Sequence, residues 1–160
     1  MWDVNLMWDF DILTTTRSWA ATPWIYNSCV FLRFRADDSG DMVFGYGQTV
    51  FAKVNFRFSL NTSNELTLIY QDSPAYFYAK SFKPSESRKS KTVYYSLKEG
   101  EITGEAANGG PFKYYWTLSL DKTPFPDELT LPNIPSLGDV RPLCEYYGHH
   151  ENETTRSGRS

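Results

Sequence analysis

The feature that most constrains the fold is a long, regular alternation at residues 50–60, where every second side chain is apolar and all of those between, except Phe51, are polar. Successive side chains of a β-strand point to opposite faces, so this pattern predicts a strand with one buried face. The buried face would carry Val50, Ala52, Val54, Phe56, Phe58 and Leu60. A period of two recurs in neighbouring runs, and no convincing helical period accompanies it.

Short polar turns separate these runs, among them residues 37–40, 61–64 and 108–110. Strands joined by tight turns usually pair with their sequence neighbours, which predicts an antiparallel meander. We predict eight strands, at residues 29–36, 41–46, 50–60, 65–70, 75–83, 91–97, 101–106 and 112–120. The first 28 residues fit either a ninth strand at 5–13 or a short helix opening at 14–18, and the pattern leaves that choice open.

A meander of this kind can close into an up-and-down barrel or fold as two packed sheets. Closure removes the exposed strand edges that invite aggregation, whereas sandwiches usually need long crossovers between their sheets. The sequence therefore predicts an all-β protein with an antiparallel, up-and-down, eight-stranded barrel, and a β-sandwich is the alternative. A barrel of eight strands is either just filled by side chains or holds one small ligand.

The segment 122–142 differs in composition from the strand-forming part of the chain, because it contains five of the nine prolines. Proline removes a ladder donor and fixes φ, which excludes a central strand. The segment is also too apolar for a free tail, so we predict an extended strap that lies along the barrel and covers an open end. The simplest domain organisation, which we predict, is a single barrel domain over residues 1–142 followed by a polar, disordered tail over residues 143–160.

Residues 32–70 resemble the small lipocalin-like (calycin) barrels in the rhythm of their strands. Both show a strand ending in an acidic-glycine turn, a returning strand, a long paired strand and a final strand of the form x-L-x-L-x-Y. The Gly-x-Trp signature that opens true lipocalins is absent from this sequence. The resemblance implies a cup-shaped barrel that binds a small apolar molecule.

Aromatic residues make up 17% of the chain, and tyrosine and tryptophan often line cavities because each carries a polar group on a large ring. Buried tyrosine hydroxyls need partners, which favours a pocket over a purely apolar core. Small residues at Ala36, Ala52 and Gly104 would leave room between the rings. The predicted ligand-binding residues are Phe44, Tyr46, Ala52, Phe56, Phe58, Tyr70, Tyr95, Tyr114 and Trp116. The alternative is an ordinary filled core.

Charge and cysteine content narrow the choice of partners and compartment. The formal net charge is −3, which gives no electrostatic case for nucleic acid or a membrane as partner. Aromatic residues on the outer face, Phe51, Tyr94 and Tyr115, instead suggest a homo-oligomer or another protein interface. Two widely separated cysteines and a start without a basic, apolar leader predict a cytoplasmic protein.

Residues for catalysis or metal binding are sparse. His149 and His150 follow the last apolar segment, and Cys144 with His149 would be an incomplete metal site. Carboxylates at Asp37, Asp38, Asp41, Glu101 and Glu105 fit turn chemistry or a polar strand face. We therefore predict binding of a small hydrophobic or aromatic ligand without catalysis, cofactor or metal. An interaction module with a filled core is the first alternative, and a cavity enzyme that uses carboxylates and tyrosines is the second.

Overall fold

A computed structural model of the chain describes residues 4–16, 18–21, 24–25, 28–46, 49–106, 109–129 and 144–148. One α-helix, one 3-10 helix and nine strands lie within these residues. The helix α1 is Val4–Thr15, and the 3-10 helix is Glu86–Arg88. The strands are β1 Trp19–Ala20, β2 Trp24–Ile25, β3 Ser28–Phe34, β4 Ser39–Tyr46, β5 Thr49–Leu60, β6 Glu65–Tyr70, β7 Ser90–Ala106, β8 Gly109–Leu120 and β9 Glu145–Gly148.

Eight of these strands form a closed antiparallel barrel in which sequence neighbours pair. The ring runs β1, β3, β4, β5, β6, β7, β8 and β9, and it closes where Trp19 and Ala20 of β1 pair with Gly148 and Tyr147 of β9. Strand β2 lies outside the ring and pairs in parallel with the end of β7. The predicted all-β, up-and-down, eight-stranded barrel is confirmed, and the alternative sandwich is not needed.

The alternation that predicted β5 agrees with its burial. Ala52, Val54, Phe56 and Phe58 are buried, whereas Arg57 and Ser59 are exposed. Two register contacts place this face inside, since Phe44 of β4 lies opposite Ala52 and Tyr70 of β6 lies opposite Phe56. The apolar core therefore lies inside the ring.

Three of the eight predicted strands differ from the structure. Residues 75–83 do not form a strand but a small irregular hairpin, held by isolated bridges between Ser73 and Phe82 and between Tyr76 and Ala79. The predicted strands 91–97 and 101–106 are one long strand, β7, whose register with β8 shifts between Glu99 and Ile102. The polar residues 98–101 suggested a turn, but they form an irregularity within one strand. Polar residues and glycine also occur at β-bulges, so this pattern does not distinguish a bulge from a turn.

Two barrel strands were not predicted at all. Strand β1 has only two residues, and β9 has four, which is too short for a period of two to be recognised. Strand β9 falls within the segment 143–160 that we predicted as a tail, and that prediction is wrong for Glu145–Gly148. Residues 149–160 lie outside the described residues.

Helix α1 is a further departure, since the sequence pattern suggested a strand at 5–13 or a short helix opening only at 14–18, whereas the helix is Val4–Thr15. Its apolar side chains do not form one stripe: Ile12 and Leu13 are buried, while Met7 and Trp8 are 54% and 61% exposed. A helix without a single apolar face lacks the 3.6-residue period that identifies helices in sequences. Tertiary contacts hold it, among them the Trp19 indole Nε1, which donates to the Leu13 carbonyl at 3.3 Å.

The described part of the strap, residues 122–129, packs against the barrel without forming a strand. Phe125 is buried in the core, and the Tyr70 hydroxyl donates to the Pro124 carbonyl at 2.5 Å. The Lys91 ammonium donates to the Phe125 carbonyl at 3.0 Å and to Asp127 at 2.9 Å. The prediction of a strap is thus supported over this part, and residues 130–142 lie outside the described residues.

Candidate functional site

Most residues of the predicted ligand-binding set do face the interior of the barrel. The buried members are Phe44, Ala52, Phe56, Phe58, Tyr70, Tyr95 and Tyr114. Trp116 is half-buried and packs against the core. The side chain of Tyr46 lies outside the described residues. All of the buried members except Tyr114 belong to one core cluster inside the barrel. Ala36, expected to leave room inside, is instead exposed just before the β3–β4 turn.

Part of this interior is filled by phenyl rings that pack on one another. Phe34 contacts Phe56 and Phe58 edge to face, with ring centroids 5.6 and 5.0 Å apart. Phe10 of α1 stacks on Phe58 with centroids 5.7 Å apart. Such pairs are a favourable arrangement of aromatic rings in a core. In this region Phe56 and Phe58 are packing residues, as the alternative of a filled core predicted.

Two interior tyrosines connect the barrel to the segments that cover it. The Tyr70 hydroxyl bonds to the strap through Pro124, and the Tyr95 hydroxyl donates to the Asp9 carboxylate of α1 at 2.7 Å. Burial raises the pKa of both tyrosines well above the ordinary value, with the charges of Asp127 and Asp9 adding to the effect. The hydroxyls that suggested a polar pocket thus have protein partners at these two positions.

Several important interior residues lie outside the predicted ligand-binding set. Phe34 is one of them, although the alternation of residues 29–36 assigns it to the inward face, where it is buried. Trp19 and Tyr146 are fully buried on β1 and β9, whose short lengths carry no periodic signal. Phe10 is brought to the barrel by α1, which the sequence pattern did not predict.

Two cavities formed by described residues have volumes suited to a small molecule. The first, of about 380 Å³, lies over the outer face of β5 beneath residues 78–82. The second, of about 340 Å³, lies between α1 and the β3–β4 turn and is lined by Met7, Phe10, Asp11, Ala36 and Asp38. Of the predicted ligand-binding residues, only Ala52 lines either of these two cavities.

Three of the carboxylates considered for catalysis have polar partners in the structure. Asp41 is buried on β4, where Arg33 Nε and Arg35 Nη2 approach its oxygens at 2.7 and 2.6 Å. Asp37 accepts hydrogen bonds from the hydroxyl and amide of Ser39, which lower the pKa of its carboxyl. Glu101 is exposed, with the Lys113 ammonium 3.6 Å away. Asp38 lines the second cavity together with Asp11, and the side chain of Glu105 lies outside the described residues. The alternative of a cavity enzyme stays a prediction.

Within the described part of the chain, no three His, Cys, Asp or Glu side chains are grouped to hold a metal ion. Cys144 is a half-buried thiol whose pKa is raised by burial, and His149 and His150 lie outside the described residues. The described residues also contain no helix of the length and apolarity needed to cross a membrane.

The outer-face aromatic residues differ in their exposure. Tyr94 is 56% exposed, whereas Phe51 and Tyr115 are half-buried. A homo-oligomer through these residues stays a prediction.

Comparison with known proteins identified no relative of this chain. No family model matches the sequence, and no curated protein and no solved structure matches it either. The closed eight-stranded barrel is compatible with the lipocalin-like fold that the strand rhythm resembles.

Proposed function

We propose that this protein binds a small hydrophobic or aromatic molecule inside its barrel and carries out no chemistry on it. The observation that supports the proposal is the closed eight-stranded barrel with an aromatic-rich inner surface. Barrels of this size are at the limit where the interior either fills with side chains or holds one small ligand. We also propose that the chain is related to the calycin barrels, on the strength of its strand rhythm and its topology.

We infer that the ligand would lie away from the phenyl cluster of Phe34, Phe56 and Phe58. Ala52 is four residues before Phe56 on β5, which corresponds to about 13 Å along a strand. Ala52 is the smallest side chain on the inward face of β5, and Phe44 lies directly opposite on β4. A small residue between larger neighbours is where an apolar molecule can be accommodated, so we place the ligand beside Ala52 and Phe44.

The test measures uptake of an apolar probe before and after a larger side chain is introduced at residue 52. N-phenyl-1-naphthylamine is a neutral probe whose fluorescence increases in apolar surroundings, and we expect the protein to take it up. Ala52→Leu adds bulk to the inward face of β5 and should lower uptake by about tenfold, because it occupies the ligand volume. Ser59→Leu introduces the same leucine side chain at an exposed position of the same strand and should leave uptake unchanged.

Two results would contradict the proposal. The first is an unmodified protein that gives no increase in probe fluorescence. The second is an Ala52→Leu protein that takes up the probe normally. If Ala52→Leu lowers thermal stability sharply and the unmodified protein takes up no probe, the interior is filled, because overpacking a full core costs about 1–3 kcal/mol.

A further inference from the structure

The cavity on the outer face of β5, here called the β5 groove, has an apolar floor. The floor is formed by Phe51, Phe82 and Leu129, each partly buried and packed against the core. Tyr78 stands at the rim and is 74% exposed. Two phenyl rings and a phenol around a volume of about 380 Å³ suit a flat aromatic molecule, since aromatic rings stack well on one another.

The turn that carries Tyr78 is held in an unfavourable backbone conformation. Tyr76 and Ala79 exchange two backbone hydrogen bonds of 3.0 and 2.8 Å, so Phe77 and Tyr78 occupy the two central positions of a tight turn. Phe77 has a φ of +50°, a backbone conformation that favours glycine. For any other residue this conformation costs about 1–2 kcal/mol of conformational free energy. Strain of this kind concentrates at binding sites, and here it places Tyr78 at the rim of the groove.

The hairpin is also fixed to the barrel, so its aromatic side chains have a defined position. Ser73 and Phe82 exchange two backbone hydrogen bonds of 2.8 Å each. The Ser73 hydroxyl accepts from the Asn55 amide of β5 at 2.8 Å. The groove is therefore formed before any ligand binds, which reduces the entropy lost on binding.

The charges around the groove favour one negative charge on the ligand. Lys53 and Lys80 line it, and neither forms an ion pair with a carboxylate of the described residues. The Lys53 ammonium lies over the Tyr76 ring, 4.7 Å from its centroid. Glu128 also lines the groove, and its carboxylate accepts from the Ser85 amide at 3.0 Å. Two cations and one anion leave a single positive charge to be neutralised.

We propose that the β5 groove is a binding site for an aromatic monocarboxylic acid, separate from the barrel interior. The aromatic ring of the acid lies against Phe51 and Phe82 beneath Tyr78. Its carboxylate accepts hydrogen bonds from the ammonium groups of Lys53 and Lys80. Charge-assisted hydrogen bonds of this kind are the stronger class, and they distinguish the acid from a neutral molecule of the same shape.

The experiment compares 2-naphthoate with 2-naphthamide, which has the same shape but no charge, by equilibrium dialysis against the full chain. We expect the unmodified protein to bind naphthoate about tenfold more tightly, which corresponds to about 1.4 kcal/mol. Lys53→Gln and Lys80→Gln should each remove most of that preference and leave the affinity for naphthamide unchanged. Lys98→Gln changes a lysine outside the groove and should leave both affinities as they are.

Phe77→Gly provides a second test, because it should change naphthoate affinity and stability in different ways. A turn with a purely structural role would not produce that difference. It relieves the backbone strain, so stability should stay the same or rise, while naphthoate affinity should fall by about threefold because Tyr78 is held less firmly. The proposal is overturned if naphthoate and naphthamide bind equally or not at all. It is also overturned if naphthoate binding is insensitive to both lysine variants, which would place the ligand elsewhere, for example inside the barrel.

Discussion

At the scale of single residues, Gly40 shows how closely the inner surface of the barrel is packed. It lies on β4 between Phe34 and Phe56 in the ladder. A Cβ atom added there would collide with the Arg33 carbonyl and would stand 2.5 Å from the Phe56 ring. The missing side chain thus lets the Phe56 ring pack directly on the backbone of β4, which helps to form the phenyl cluster.

Gly40→Ala should therefore lower the free energy of unfolding by about 1–3 kcal/mol, because the Phe56 ring must leave its position. Gly100→Ala is the matched control, since an added Cβ there has nothing within 4 Å. It should change stability by less than about 0.5 kcal/mol. Urea denaturation of the three proteins measures the difference, and equal midpoints for all three would contradict this account of Gly40.

At the scale of elements, strand β9 is short but completes the ring. It pairs with β8 on one side and with β1 on the other, so its loss would leave two open edges. Tyr146 is the inward residue that holds it, being fully buried on a strand whose Glu145 is exposed. The stability of the closed barrel should accordingly depend strongly on one side chain near the end of the described chain.

We expect Tyr146→Ala to reduce the free energy of unfolding by about 3–5 kcal/mol, as large-to-small changes in a core do. Glu145→Ala, one residue earlier on the same strand, should have almost no effect. Thermal unfolding followed by circular dichroism would show the contrast. A Tyr146→Ala protein as stable as the Glu145→Ala protein would mean that β9 does not contribute to the core.

The elements also show which patterns can be recognised in a sequence. Long strands with one buried face, such as β5 and β8, carry many alternating positions and were predicted close to their bounds. Strands β1 and β9 have too few residues for any period, and α1 lacks an apolar stripe. The predicted number of barrel strands agrees with the structure, although residues 75–83 and the division of β7 were wrong and two short strands were missed.

At the scale of the whole molecule, buried tyrosines make stability depend on alkaline pH. Burial raises the pKa of Tyr70, Tyr95, Tyr114 and Tyr146, each above the ordinary value near 10. In the unfolded chain these groups ionise near pH 10, whereas in the folded barrel they stay protonated to higher pH. Their contribution to stability is complete below pH 10, and it is lost as the pH rises beyond that value.

The free energy of unfolding should consequently fall above pH 10, by up to about 1.4 kcal/mol per pH unit for each such tyrosine. Tyr70→Phe removes one of these groups and should make the decline less steep. Tyr94→Phe replaces an exposed tyrosine and serves as the control. Denaturation midpoints at pH 8, 10 and 11 test this, and identical slopes for Tyr70→Phe and the unmodified protein would refute it.

The residues of the candidate site could be predicted only in part from the sequence. Alternation is a local property, so it was enough to assign Phe44, Phe56 and Tyr70 to the inner face, where all three are buried. It carries no information on how far apart facing strands lie. Whether a ring meets another ring or an open space depends on contacts between distant segments, such as Phe10 on Phe58.

The fold class, the buried face of each long strand and the apolar strap follow from the sequence alone, because local periodicity, turn residues and proline specify them. Long-range contacts were needed to show that β1 and β9 close the ring and that Tyr70 and Tyr95 bond to the covering segments. They were also needed to show that residues 78–82 and 128–129 form a groove over β5. The physical reason is that closure, hydrogen bonding and cavity shape arise between residues far apart in the chain. Such contacts leave no periodic signal in either partner.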